Sequence, residues 1–297
     1  MNSRFSMRRV GVFVAAAAVG LLASVSTPAL ATAAPAPAPA PLRYVNLGDS
    51  YSAGSGVSPT APDKPGSCSQ SSNNFAHVVA RRNGFSLTDV SCGGAQTKDF
   101  FARQYPDTAP QLHALRPDTQ LVTLMIGGND GNVFAGTVAK CIAAGVAAGF
   151  RGTPCKDQYG TSIDKEIRTA TYPKIVKALK AIRAKSPKAK VAIVSYPLIM
   201  PATAQTCTNL PVAAGDLPYA HGIQTTLNDA VKRAAEATGV TYVDAATPSI
   251  GHDSCKPVGV RWVEPIFGTV QPIPVHPNAL GEREMAGIVS RTLGLAR

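Results

Sequence analysis

The chain has 297 residues and a formal net charge of +11, and beyond its first 33 residues no stretch is apolar over the ~20 residues needed to cross a bilayer, which excludes a helical integral membrane protein. Five histidines without metal-ligand spacing and six cysteines without a CxxC pair make a zinc cluster a poor alternative; no metal and no cofactor is expected.

Met1 to Ala33 carries three arginines and no acid, then an apolar stretch from Val10 to Val25, then small residues ending in Ala29-Leu30-Ala31 or Ala31-Thr32-Ala33. That order is a secretory signal peptide, and Val10-Gly11-Val12 after Arg8-Arg9 fits Sec export better than the twin-arginine route. Residues 34–41 alternate alanine and proline, which favours extended polyproline II and reads as a tether. Residues 42–297 have a size that one α/β domain fills, although length alone would allow two.

Losing the three leader arginines lowers the charge from +11 to +8. A basic surface assists adhesion to membranes or cell walls without naming a partner. Lys174, Lys177, Lys180 and Arg183 recur every three residues on a predicted helix and read as a solvated face, with no nucleic-acid motif beside them. The expected product is a secreted monomer with at most peripheral membrane or cell-wall contact. Cys68, Cys92, Cys141, Cys155, Cys207 and Cys255 are an even number in an exported chain and imply disulfides; about fifteen pairings of six cysteines stay open.

The predicted elements begin with a short apolar strand at Arg43 to Leu47, followed by the turn Gly48-Asp49-Ser50. Asn73 or Asn74 can cap a helix through Phe75, Val78 and Val79 that Gly84 ends. Phe85 to Val90 alternates like a strand, and Gln120 to Ile126 is a nearly continuous apolar run, as expected of a strand covered on both faces. Ile175, Val176, Leu179 and Ile182 have helical spacing, and the strand Val191 to Ser195 follows. A helix over Tyr219 to Thr238 leads into the strand Val240 to Val243, and a terminal helix runs from Pro277, near its first turn, to Leu293. Strands alternating with helices predict a parallel sheet whose sites lie beyond the carboxyl ends of the strands.

Four blocks at or beyond strand exits carry chemistry. Gly48-Asp49-Ser50-Tyr51-Ser52-Ala53-Gly54 presents a hydroxyl near a helix start, and Ser91-Cys92-Gly93-Gly94-Ala95 offers glycine N–H groups. Gly127-Gly128-Asn129-Asp130 offers a side-chain amide, and Val275-His276-Pro277-Asn278 an imidazole. A nucleophile, a base and donors for an oxyanion are what ester hydrolysis needs. In this order the blocks resemble the SGNH (GDSL-type) hydrolase family, and within it the secreted actinobacterial lipases and esterases. The resemblance spans essentially the whole chain after the leader.

The resemblance implies a three-layer α/β/α flavodoxin-like fold with a central parallel sheet of about five strands. It implies that Ser50 attacks the acyl carbon, that His276 is its general base, and that the Ser50 N–H, the Gly94 N–H and the Asn129 side chain form the oxyanion hole. It also implies the pairs Cys68–Cys92, Cys141–Cys155 and Cys207–Cys255. Many relatives carry an acid three residues before the histidine, but here that position is Ile273. The third member of the constellation is therefore either a backbone carbonyl, that of Ile273, or the carboxylate of Asp253. Asp49 reads as an organiser of the turn; His77, His113 and His221 as structural or solvated, with His252 ambiguous beside Cys255; and Trp262 as a packing anchor.

The activity so implied is hydrolysis of carboxylic esters, lipid or fatty-acyl esters in particular. Phospholipase A and polysaccharide deacetylase activities share the machinery, and a non-catalytic surface-binding domain is the alternative of another class. An α/β-hydrolase is disfavoured, because its G-x-S-x-G elbow would need glycine where Ser52 stands. Ile142 to Phe150, between two cysteines, is either a small-residue helix packed on the core or a lipid-facing wall presenting Val146 and Phe150.

Overall fold

An apolar run can pair on both edges and pack on both faces, and the most buried runs of this chain take the centre of its sheet. In chain order the elements are β1 (Arg43–Gly48), α1 (Ser50–Ala53), α2 (Phe75–Asn83), β2 (Ser86–Asp89), β3 (Leu121–Met125), α3 (Val133–Ala147), α4 (Pro154–Tyr159), α5 (Ser162–Glu166), α6 (Tyr172–Lys185), β4 (Lys190–Val194), α7 (Leu217–Thr238), β5 (Thr241–Val243) and α8 (Ala279–Leu293). Every strand pairing is parallel and the order is β2-β1-β3-β4-β5, so β1 and β3 are flanked on both sides. The computed structural model describes residues 11–17 and 40–296. Residues 11–17 of the expected signal peptide are exposed and without regular structure; the rest of it, and residues 34–39 of the expected tether, lie outside the described residues.

The period-two alternation of the strands divides the core. Val45 and Leu47 of β1 join Val122 and Leu124 of β3 in a layer with Ile175, Leu179 and Ile182 of α6. Tyr44 and Met125 belong to the opposite layer, with Phe75 and Val79 of α2, Leu227 of α7, and Met285 and Val289 of α8. This second layer is not purely apolar. Tyr44 Oη donates to Thr123 Oγ1 (2.6 Å), Thr123 Oγ1 donates to Asn46 Oδ1 (2.9 Å), and Asn46 Nδ2 donates to Asp89 Oδ1 (3.1 Å). Asp89 also accepts from Asn74 and Ser91, so its buried carboxylate is saturated by neighbours and ties three strands together.

Local chemistry sets the element ends. Asn74 caps α2 by accepting from the His77 N–H (3.0 Å), and Gly84 closes it in the left-handed region. The helix α7 starts at Leu217, with Pro218 in its first turn, where a missing N–H costs no bond. The terminal helix begins at Ala279 and not at Pro277. Asn278 is its N-cap and accepts from the Gly281 N–H (3.0 Å), which leaves Pro277 outside, bridged antiparallel to Val263. Lys174, Lys177, Lys180 and Arg183 lie exposed along α6.

Disulfides join Cys68 to Cys92, Cys141 to Cys155 and Cys207 to Cys255. They close loops of very different length, with sequence separations of 24, 14 and 48 residues. In the chain-entropy account a longer loop restrains the unfolded chain more, about 4 kcal/mol for the Cys207–Cys255 loop against about 3 kcal/mol for Cys141–Cys155. The double variant Cys207→Ser/Cys255→Ser should therefore lower the denaturant midpoint more than Cys141→Ser/Cys155→Ser; the reverse order in equilibrium unfolding would show that native-state contacts, not loop length, decide.

Candidate active site

Strand β1 delivers Ser50 through a turn that leaves no freedom at Gly48. This glycine has φ +118°, and a side chain on it would collide with the Met125 carbonyl. The Gln111 carboxamide brackets it, with Oε1 accepting from the Gly48 N–H (2.7 Å) and Nε2 donating to its carbonyl (2.9 Å). Asp49 then caps α1: its N–H donates to Met125 O (2.9 Å) and its Oδ1 accepts from the Tyr51 N–H (3.0 Å). Ser50 opens the helix and is 7% exposed.

The imidazole of His276 reaches the serine from the far end of the chain. Its Nε2 lies 2.8 Å from Ser50 Oγ, and its Nδ1 lies 2.8 Å from the carbonyl oxygen of Pro274. A carbonyl can only accept, so Nδ1 carries the proton and donates it. The neutral ring then has its lone pair on Nε2, where it accepts from the serine hydroxyl. Burial disfavours the imidazolium and lowers the pKa below the ordinary 6.5, an effect the Pro274 hydrogen bond opposes. A serine held against a neutral imidazole can lose its proton as its oxygen attacks an acyl carbon.

Neither expected third member fills that place. The carbonyl bonded to the imidazole is Pro274's and not Ile273's, because Val275 adopts φ +58°, which turns the chain so that the carbonyl two residues back meets the ring. Asp253 is buried elsewhere and accepts from the Cys255 N–H (3.0 Å), organising its own turn.

The second and third strands bring the donors. Asn129, after β3, lines the same cleft as Ser50 and His276, and its Nδ2 donates to the carbonyl of Ala95 (3.1 Å), the neighbour of Gly94. Gly94 itself lies exposed in the loop beyond β2 with φ +74°. Tyr196, directly after β4, couples the Ser50 and Asn129 loops. Its Oη accepts from the Gly128 N–H (3.0 Å) and donates to Asp49 Oδ2 (2.5 Å). Burial pushes the Asp49 carboxyl up to about 7, against the hydrogen bonds from Tyr196 and Tyr51 that hold it down. Both of its oxygens are occupied by these donors, so Asp49 shapes the turn.

Glu264 anchors the His276 loop. Its N–H donates to His276 O (2.9 Å), its carbonyl accepts from the Val275 N–H (3.0 Å), and its carboxylate accepts from Arg261 (2.6 Å), Val270 (3.0 Å) and Asn278 (2.8 Å). Burial raises this carboxyl's pKa, but the hydrogen bonds from Arg261, Asn278 and Val270 outweigh it and hold the group below its ordinary value. Tyr51 adds a further tie, donating from Oη to Val275 O (2.7 Å) while its ring stacks on Phe134 and leans on His276.

Beside the serine opens a cleft of about 290 Å³. Phe134, Ala135, Val138, Ala139 and Ile142 line it, a stripe spaced by four along one face of α3, opposite Ile266 and Val275. The segment expected as either core or wall divides between several roles. Ile142 faces the cleft, Cys141, Ala144 and Gly145 are buried, and Val146 and Phe150 are exposed away from the cleft lining.

Residues 47–284 match the GDSL-like Lipase/Acylhydrolase family. The chain belongs to that family. Lipase 2 of Streptomyces coelicolor is 53% identical over 98% of both chains, and a lipase of Streptomyces rimosus is 28% identical over 90% of this chain and 89% of its own. Among solved structures, phospholipase A1 of Streptomyces albidoflavus superposes with a TM-score of 0.70 and 27% identity, covering 87% of this chain and all of the other. The enzyme is thus an ester hydrolase of the lipase/esterase kind on the three-layer fold of this family. Sequence blocks pointed to Ser50, Gly94, Asn129 and His276. The supports Gln111, Tyr196 and Glu264 carried no comparable signal, since only Tyr196, next to a strand end, stood in a place that topology favours.

Two substitutions separate these readings. Asp253→Asn should leave kcat within a few-fold of the parent, whereas a loss near the ~10⁴-fold that follows replacement of a true triad aspartate would make Asp253 the third member after all. Tyr196→Phe removes the donor to Asp49 and the acceptor for Gly128, and should lower unfolding stability by about 1–3 kcal/mol. It should also reduce kcat at nearly constant KM; unchanged stability and turnover would detach Tyr196 from the site.

Proposed function

We propose that Ser50 is the nucleophile of a secreted lipase/esterase and that His276 is its general base, oriented by the Pro274 carbonyl. The observation that carries this reading is the pair of 2.8 Å contacts along Pro274 O, His276 and Ser50 Oγ. Attack by Ser50 Oγ on the acyl carbon forms a tetrahedral oxyanion as its proton passes to His276 Nε2. The imidazolium returns that proton to the leaving alcohol, and water repeats the sequence on the acyl-enzyme. The oxyanion donors are the Ser50 N–H, the Gly94 N–H and Asn129 Nδ2; losing one such donor costs about 3 kcal/mol. A neutral carbonyl orients the imidazole but offers the imidazolium less charge stabilisation than a carboxylate would.

The acyl group occupies the apolar cleft along α3, which supports fatty-acyl esters over acetylated glycans. The printed names of the relatives, lipases and a phospholipase A1, agree with that substrate class. Residues 1–33 act as the export signal and 34–41 as the tether of a single catalytic domain, a reading that fits the three disulfides and the absence, among the described residues, of any helix long and apolar enough to cross a membrane.

Covalent labelling tests the chemistry. A fluorophosphonate should modify the parent enzyme at Ser50, while Ser50→Ala and His276→Ala should be folded and inactive; near-parental turnover by either variant would refute the assignment. Asn129→Ala should keep measurable activity with kcat down about 10²–10³-fold. On a soluble ester, kcat/KM should fall as pH drops through an apparent pKa below the ordinary 6.5 of imidazole, because only the neutral ring accepts the proton. An acid limb above that value would contradict burial as the dominant influence on His276. Ala139→Phe should cut hydrolysis of long-chain esters far more than of acetate esters, and equal losses would remove α3 as the acyl wall.

A further inference from the structure

We propose that the turns between Ile250 and Val270 form a docking face that seats on a lipid–water interface and presents the cleft to it. This rests on the cleft taking acyl chains, and it adds where an aggregated substrate meets the enzyme. Three turns of this segment have a glycine at positive φ, Gly251, Gly259 and Gly268, and each holds large apolar side chains out to solvent next to that glycine. They are Ile250 (67% exposed), Val258 and Val260, and Phe267 (57%) with Val270 nearby (60%). Exposed apolar groups grouped in this way mark an interaction surface.

Hydrogen bonds tie the turns to one another. The Trp262 N–H donates to His252 O (2.8 Å), Arg261 donates to Gly268 O (2.7 Å), and the Val270 N–H donates to Glu264 (3.0 Å). The face also lacks repulsion toward lipid headgroups. Its two acids, Asp253 and Glu264, and Arg261 are buried, which leaves Lys256 as the formal charge in contact with solvent, and residues 265–275 carry no charge. A surface free of exposed carboxylate and holding one lysine suits zwitterionic or anionic lipid.

Continuity with the cleft selects the occupant. Ile266 and Val275 line the cleft, and the exposed Phe267 and Val270 lie between them in the chain. An ester chain leaving a lipid aggregate would pass from the aggregate to Ser50 along apolar side chains. A second protein copy seated on Ile266 and Val275 would obstruct that entry.

The test uses the full mature enzyme and sedimentable vesicles of ether-linked, non-hydrolysable phosphatidylcholine, with and without phosphatidylglycerol. Phe267→Ser and, separately, Val258→Ser/Val260→Ser should each lower the vesicle partition coefficient at least about tenfold, the effect of withdrawing one large side chain from an apolar phase. Hydrolysis of emulsified triacylglycerol should fall in parallel, with turnover of soluble p-nitrophenyl butyrate within about twofold of the parent. Parental partition by both variants would overturn the proposal, as would a parent enzyme that turns over the soluble ester yet binds neither vesicle. Equal loss on soluble and emulsified esters would assign the segment to support of His276, and a dimer abolished by these substitutions would assign it to self-association; both outcomes overturn docking. Failure of fluorophosphonate labelling at Ser50 is a separate result, which would bring down the catalytic reading instead.

Discussion

A carbonyl oxygen cannot donate a hydrogen bond, and much of this site depends on that asymmetry. With Pro274 O at Nδ1, the neutral imidazole of His276 has one arrangement, with its lone pair on Nε2 toward Ser50. The arrangement requires Val275 at φ +58°, a region that a β-branched residue enters at a cost of about 1–3 kcal/mol. Its surroundings hold it there. Its N–H donates to Glu264, its carbonyl accepts from Tyr51 Oη, and Glu264 receives Arg261, Val270 and Asn278 in turn. The carboxylate of the buried Arg261–Glu264 pair is thus compensated by three donors, and Arg261 also donates to Gly268 O while its Nε has no partner among the described residues; the pair supports the loop that carries His276.

The Ser50 side is built on the same principle with different parts. Backbone pairing to Met125, the Gln111 carboxamide and the Asp49 cap hold the turn before Ser50, and Tyr196 links that turn to the loop bearing Asn129. Donors for an oxyanion act through preorganisation, so under the proposed roles a tie between the loops that carry Ser50 and Asn129 bears on rate as well as on stability. The parallel strand order brings these loops to one end of the sheet, and no single element supplies the whole site.

Much of this was legible in the sequence, for identifiable reasons. The run around Leu121 to Met125 is apolar on both faces, and Gly48, Gly84 and Asn74 have local conformational or capping chemistry, so strands and ends could be read from neighbours in the chain. The start of α8 was misjudged because Pro277 and Asn278 both suit a helix start; the cap of Asn278 decides, while Pro277 is engaged with Val263. The sequence pointed to the Ile273 carbonyl or Asp253 and not to Pro274, because which carbonyl meets the ring depends on the φ of Val275, and valine gives no signal for the left-handed region. Glu264 was invisible because its partners become neighbours only when the loop closes. Val146 and Phe150 shared an apolar stretch with Ile142, but Val146 continues the same stripe one turn beyond the residues that line the cleft, and Phe150 lies past the end of α3 at φ +58°.

The sharpest measurement is the tautomer of His276 in the resting enzyme, read from ¹⁵N chemical shifts of selectively labelled histidine at a pH well above the imidazole pKa. The expected spectrum has a protonated Nδ1 and an unprotonated Nε2 for His276, identified by its loss in His276→Ala, with the Nε2 resonance moving when Ser50 is replaced by alanine. A protonated Nε2 with a bare Nδ1 would contradict the Pro274 hydrogen bond, and with it the geometry on which the proposed nucleophile role of Ser50 rests.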